Sequence, residues 1–268
     1  VARLRDARLA RSAKPFLARG GSRRAHCAGC RLVTSHCTCA LRPRLPVRAG
    51  MCLVMHDTEP LKPSNTGWLV ADVVADTFAF GWSRTEVDPA MLALLQDARW
   101  QPWVVFPAEG LPPERVVHRP AAADAALAPA GEGARPLFVL LDGTWAEARK
   151  MFRKSPWLER FPVLSLQGDA PSRYQLRQAP QAGHWCTSEV AARCLELAGE
   201  APAGAVLQAW LSVFSERYEQ ARQQRRAQPD SAAHQSLAGR VAAARAPQAV
   251  RSFPPADAAL PLTSPAAP

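Results

Sequence analysis

The stretch that most constrains this chain is residues 137–151, LFVLLDGTWAEARKM. Five apolar residues without a charge, 137–141, follow Pro136 and are too short for a buried helix, so they read as a buried strand. The run stops at Asp142, Gly143 permits a tight turn, and Thr144 can cap a helix. From Trp145 to Lys154 the period is helical, with Trp145, Ala148, Met151 and Phe152 on one side. Asp142 is therefore expected where a buried strand ends and a helix begins. Ligands of open α/β sheets bind at such edges, although many α/β turns use an Asp only as a cap.

Strands and helices alternate through most of the chain, which predicts an α/β fold. Residues 50–55 (GMCLVM), 78–82, 103–106 and 161–166 read as further strands. Helices are expected after Ser64 or Asn65, from Asp88-Pro89 to about Arg99, after Thr187 or Ser188, and over residues 203–220. Residues 119–136 read as a variable loop. A long polar connection runs from about residue 168 to 189, and such loops in compact domains are usually functional. Residues 221–268 are rich in Ala, Pro, Gln and Arg with few large apolar residues, and are expected to be disordered. No run approaches the ~18–20 apolar residues of a membrane span, and the first residues lack the apolar core of a secretory signal. The expectation is a cytoplasmic protein with no membrane partner.

The formal charge of +10 is unevenly placed. Residues 1–48 hold twelve Lys or Arg and one acid, Asp6, while the other 220 residues hold 21 bases and 22 acids. A basic block of this kind recruits a polyanion by counterion release, serves only as a solvated arm, or is an organelle-targeting peptide. Residues 1–24 read as a basic flexible arm able to form a short helix up to about Lys14.

Four of the seven cysteines, Cys27, Cys30, Cys37 and Cys39, are spaced C-x2-C-x6-C-x-C. Thiolates at this spacing can converge on one tetrahedral zinc, and a shell filled by four cysteines organises a fold and does not activate water. Disulfides are the competing reading, but nothing marks the chain as secreted. His26 and His36 flank the cluster as bystanders or substitute ligands. The expected organisation is an arm (1–24), a zinc-binding element (25–48), a catalytic domain (49–220) and a tail.

Taken together, these residues resemble the DTW-domain family of tRNA-uridine aminocarboxypropyltransferases. The signature is Asp142-x-Thr144-Trp145. Around it stand the cysteine cluster, the turn Ser64-Asn65-Thr66-Gly67, Phe106-Pro107 at a strand end, Tyr174-x-Leu176-Arg177 and Thr187-Ser188-Glu189. The likeness spans roughly residues 27–218; Trp68 stands where a basic residue is expected. The resemblance implies a SPOUT-like α/β fold with a knotted C-terminal half. It implies transfer of the 3-amino-3-carboxypropyl group of S-adenosylmethionine to N3 of a uridine in tRNA, leaving methylthioadenosine.

In that chemistry the sulfonium already activates the donor, so positioning supplies most of the rate. Uridine N3 carries a proton that must leave, and Asp142 is the natural acceptor; the alternatives are a ligand for the donor's amino group or a cap. Donor binding is expected at Ser64, Asn65, Thr66, Phe106, Pro107, Gly143, Thr144, Trp145, Thr187, Ser188 and Glu189. Trp145 also fits as core, since it shares a side with Met151 and Phe152. Arg173, Arg177 and His184 in the long loop are expected to hold phosphate or carboxylate, and His56 with Glu59 forms a candidate polar pair after the first strand. Two rival functions are a SPOUT-type RNA methyltransferase and a zinc-containing RNA-binding protein without activity.

Overall fold

The computed structural model describes residues 1–13, 24–119, 133–166, 172, 174, 176 and 185–246. Helix α1 is Ala2–Ala10. After the cysteine segment come strand β1 (Gly50–Met55), helix α2 (Gly67–Val73), β2 (Thr77–Gly81), α3 (Pro89–Gln96), β3 (Trp100–Val105) and the short β4 (Val116–Val117). The chain continues through β5 (Arg135–Asp142), α4 (Trp145–Arg153), β6 (Val163–Leu164), α5 (Thr187–Leu197), α6 (Ala201–Arg222) and α7 (Ala232–Arg245). The six strands pair in parallel in the order β2-β1-β5-β3-β6-β4.

Parallel sheets are covered on both faces, and the alternation of side chains along β1 and β5 shows it. Met51, Leu53, Met55, Phe138 and Leu140 pack into one core with Leu69 and Val73 of α2, Leu195 of α5 and Trp210 of α6. Cys52, Val54, Leu137 and Val139 pack into the other with Met91 of α3 and Met151 of α4. Every residue of β1 is buried, which is why it reads as an unbroken apolar run.

Adjacent strands β1 and β5 are in register to their ends, Met55 opposite Asp142. Beyond that point the chain leaves β1 toward α2 on one face and leaves β5 toward α4 on the other. A crevice opens where neighbouring connections diverge in this way.

Two expectations about the ends of the chain are corrected. The first residues are not a free arm: Val1 and Leu4 pack against the core, and Arg8 Nε donates to Asp57 at 2.8 Å. Residues 221–246 are not disordered: α7 lies along α6 with Leu237 and His234 buried. The Arg217 guanidinium of α6 donates to His234 Nε2 at 3.0 and 3.2 Å. The Ala-rich composition of α7 hid it, because a few apolar side chains suffice when a small face meets a long helix. Residues 14–23 of the expected arm and 247–268 of the tail lie outside the described residues, as do 120–132 of the expected variable loop and most of the long polar connection.

Candidate active site and cysteine cluster

Asp142, only 2 % exposed, ends β5 inside that crevice. Its Oδ2 accepts from Asn65 Nδ2 at 2.7 Å, and its Oδ1 accepts from Thr187 Oγ1 at 2.6 Å. Three segments far apart in sequence thus meet on one carboxylate. Asn65 Nδ2 also donates to Glu59 Oε2 at 2.8 Å, so a single amide bridges two buried acids. Glu59, fully buried in the 3-10 turn Glu59–Leu61, takes Lys62 as its counter-ion. Burying two carboxylates is costly without such donors.

Close approach sets the next residue. A Cβ at Gly67 would stand 2.7 Å from Asp142 Oδ2 and 3.2 Å from Asn65 Oδ1, so only glycine lets the turn reach the acid. Thr66 Oγ1 accepts from the backbone N–H of Ser188 at 3.3 Å, which ties the start of α2 to the start of α5. Tyr174 donates its hydroxyl proton to the Ser64 carbonyl. Among the described residues, buried Asn65 Oδ1 and Ser188 Oγ have no hydrogen-bond partner.

Two cap expectations change. Thr66, not Ser64 or Asn65, precedes α2, and Cys186, not Thr187 or Ser188, precedes α5. The side chains of Asn65 and Thr187 are therefore spared from capping and serve Asp142. Glu189 caps α5 by accepting from Cys186 N at 2.8 Å and also accepts from Ser172 Oγ at 2.7 Å. Thr144 makes a reciprocal capping box with Glu147 at the start of α4, as its sequence position led one to expect. Trp145, expected either at the donor site or in the core, is half-buried and belongs to neither hydrophobic cluster.

His56 and Glu59 do not pair through their side chains, because the turn between them sends the two apart. The His56 backbone N–H bonds the Asp142 carbonyl at 2.9 Å, while its Nδ1 lies 3.1 Å from Glu147 Oε1 and its ring stacks toward Trp82 at 6.0 Å. Gly143 sits between these groups: its Cβ would lie 3.0 Å from that of Glu147 and 3.5 Å from that of His56. Phe106, expected as the last residue of β3, directly follows it, and its ring stacks on Phe152 at 4.1 Å, which gives it a packing role beside Pro107. Arg173, Arg177 and His184 lie outside the described residues.

Sequence reasoning missed Lys62, Glu147, Trp82 and Arg31, and gave Gly67 no role. Arg31 follows Cys30 in a left-handed conformation (φ 67°) and is 3 % exposed. Its Nη1 donates to the Asn65 carbonyl at 2.9 Å, and its guanidinium lies 4.5 Å from the Trp68 ring centre. Burial pushes the Arg31 pKa down to about 9, against the pull of Asp72, which still leaves it charged at neutral pH. The cysteine segment is thus tied directly to the turn carrying Asn65. The available signal is an Arg beside a clustered cysteine, and that fits a surface residue equally well.

The sulfurs of Cys27, Cys30, Cys37 and Cys39 all lie within 4.8 Å of one another, with separations of 3.6 Å (Cys27–Cys39), 3.7 Å (Cys30–Cys37) and 3.5 Å (Cys27–Cys37). A tetrahedron with ~2.3 Å Zn–S bonds has edges of about 3.8 Å. The four sulfurs therefore fit a zinc ion, and none is in a disulfide. The Cys30 backbone N–H draws the Cys27 thiol down to about 6, while burial and the neighbouring sulfurs push Cys39 up to about 12. A cation among them would relieve that crowding. His36 is no ligand here: its Nε2 meets the Arg225 carbonyl at 3.0 Å.

A cavity of about 550 Å³ lies at the opposite end of the sheet, lined by Arg48, Asp76, Trp100 and Arg135 among others. Of its three arginines, Arg135 is already engaged: its Nε donates to the Arg48 carbonyl at 2.6 Å, and its guanidinium pairs with Asp76. No helix among the described residues is long and apolar enough to cross a membrane.

Comparison with known proteins finds a family and a partial relative. One relative, tRNA-uridine aminocarboxypropyltransferase 2 of Drosophila melanogaster, is 38% identical over 64 residues, covering 24% of this chain and 26% of its own length. No solved structure matches. The DTW domain matches residues 24–219, from the cysteine cluster to the end of α6's buried face, and the chain belongs to that family.

Proposed function

We propose that this protein transfers the 3-amino-3-carboxypropyl group of S-adenosylmethionine to N3 of a uridine in tRNA. The observation that carries the reading is the convergence of Asn65 and Thr187 on buried Asp142 at the divergence of β1 and β5. The family and the relative's name support the reaction class. The SPOUT-like, knotted arrangement belongs to the same proposal, as does a cytoplasmic location.

The donor supplies a carbon already activated by its sulfonium. The chain's residues must hold its amino-acid end, aim one of three electrophilic carbons and take one proton. Asn65 Oδ1 and Ser188 Oγ offer an acceptor and a hydroxyl to the ammonium and carboxylate. Asp142 accepts the N3 proton, its bond from Thr187 giving way as the uridine enters. The C–S bond breaks as the N3–C bond forms, and methylthioadenosine leaves. Cys27, Cys30, Cys37 and Cys39 would hold a structural zinc that fixes Arg31 and, through it, the Asn65 turn.

The test is mass spectrometry of nucleosides and small products after incubating the protein with bulk tRNA and S-adenosylmethionine. Aminocarboxypropyl-uridine with methylthioadenosine is the expected result. A methylated base with S-adenosylhomocysteine would identify a methyltransferase. RNA binding with neither product would identify a non-catalytic RNA-binding protein.

A further inference from the structure

The Asp142 site is rimmed on two sides by cations that its chemistry does not use. Helix α1 carries Arg3, Arg5 and Arg8, with Arg11 as its C-cap. It rests on the 3-10 turn holding Glu59, and Leu4 reaches to 3.9 Å from the Cβ position of Gly81 at the end of β2. Arg8 and Arg11 meet Asp57, but the Arg11 side chain stays 70% exposed, and Arg3 is exposed as well. On the other side α4 opens just beyond Asp142 and turns Arg149, Lys150 and Arg153 to solvent.

Between the two helices stands Trp82, the residue after β2. Its ring faces His56 at 6.0 Å, its Nε1 donates to Ser155 Oγ at 3.0 Å, and Lys150 Nζ lies 5.9 Å from its ring centre. A continuous band therefore runs α1, Trp82 with His56, then α4, along the carboxyl edge of the sheet and past Asp142.

We propose that this band is where a single-stranded segment of RNA lies, its phosphates on α1 and α4 and a base against the His56–Trp82 pair. Cationic tracks interleaved with aromatic rings are how single strands are held, since stacking tolerates any base and phosphates need only charge. The fixed position of α1 matters: a docked helix presents its arginines at one place, which a solvated arm does not. The proposal rests on the RNA-modifying reading of Asp142 and adds the path by which the substrate reaches it. An anionic membrane is the competing partner for a basic helix, but Leu4 of α1 and Val1 before it pack on the core, which leaves half-buried Leu9 as the one large apolar side chain of the helix available for insertion.

The experiment uses the full chain and fluorescently labelled bulk tRNA, with affinity followed by anisotropy from about 0.05 to 0.3 M salt. Two pairs of substitutions test the band, Arg3→Gln with Arg11→Gln and Arg149→Gln with Lys150→Gln. Arg226→Gln with Arg240→Gln, exposed near α7, is the control of equal charge. Glutamine keeps helix propensity, so all three should fold. Each band pair is expected to make the log–log salt slope shallower by about 1 to 2 and to weaken binding roughly 5- to 30-fold at 0.15 M salt. The control should change affinity less than twofold. Band pairs that leave slope and affinity unchanged, or a control that loses as much, overturn the proposal. So does binding to phosphatidylserine vesicles that follows the band charges while tRNA binding does not. Methylthioadenosine release is read separately: charge-dependent tRNA binding without release sinks the transferase reading and leaves the band standing.

Discussion

The two ends of the same sheet hold charged residues in opposite ways. At the amino end Arg135, Asp76 and Arg48 sit around a cavity, partly exposed, and Arg135 spends its donors on the carbonyls of Val47 and Arg48 and on Asp76. Those contacts brace neighbouring segments. At the carboxyl end Asp142 and Glu59 are buried, and the groups that satisfy them come from separate loops. A buried carboxylate shared by distant loops costs more than stability alone would justify, and such costs concentrate at functional sites. The cavity is the more obvious hole; the carboxyl edge is the better site.

That contrast can be broken first at Asp142. Asp142→Asn keeps shape but removes the proton acceptor and replaces one carboxylate oxygen with an NH2 donor facing the donors of Asn65 and Thr187, so product formation should fall by about 10²- to 10⁴-fold with folding largely kept. Retention of more than a tenth of the activity would move the chemistry elsewhere. Gly67→Ala should come next, because the added methyl falls 2.7 Å from Asp142 Oδ2. We expect a loss of about 1–3 kcal/mol in thermal or denaturant unfolding and a steeper loss of activity.

At the amino end the effect should be smaller and of another kind. Arg135→Met should lower stability by about 1–2 kcal/mol, through lost bonds to backbone carbonyls, and leave turnover per folded molecule unchanged. A drop in turnover would erase the distinction between the ends.

The smallest effect belongs to neither end. Burial and the Arg217 guanidinium hold the His234 pKa below the ordinary histidine value of 6.5, with Glu216 and Asp230 opposing and Ser231 bonded to Nδ1. The unfolded chain therefore binds the proton more readily. The stability His234 contributes is fully present above pH 6.5 and is lost as pH falls below it. Hydrogen exchange in α7, corrected for intrinsic rate, should quicken between about pH 7 and pH 5.5 relative to α3; unchanged protection would contradict the sign.

How much of this was readable beforehand divides along physical lines. Strand β1 was legible to the residue, since burial on both faces leaves an unbroken apolar run, and the D-x-T-W turn announced both strand end and cap. The cysteine spacing announced a cluster that the sulfur separations bear out. What stayed hidden depends on distant partners. Nothing near Asn65 says that its amide bridges Asp142 and Glu59, and nothing near Arg31 says that it is buried. His56 and Glu59 looked paired because they are neighbours, yet the intervening turn gives each a different partner. Helix α7 reads as disorder because composition is local and its packing on α6 is not.

The most direct test is the structure of the protein with S-adenosylmethionine bound. The amino-acid end of the donor should lie against Asn65 and Ser188, with its reactive carbon beside Asp142. Donor found instead at the amino-end cavity, among Arg48, Trp100 and Arg135, would contradict the assignment of the carboxyl edge as the site of transfer.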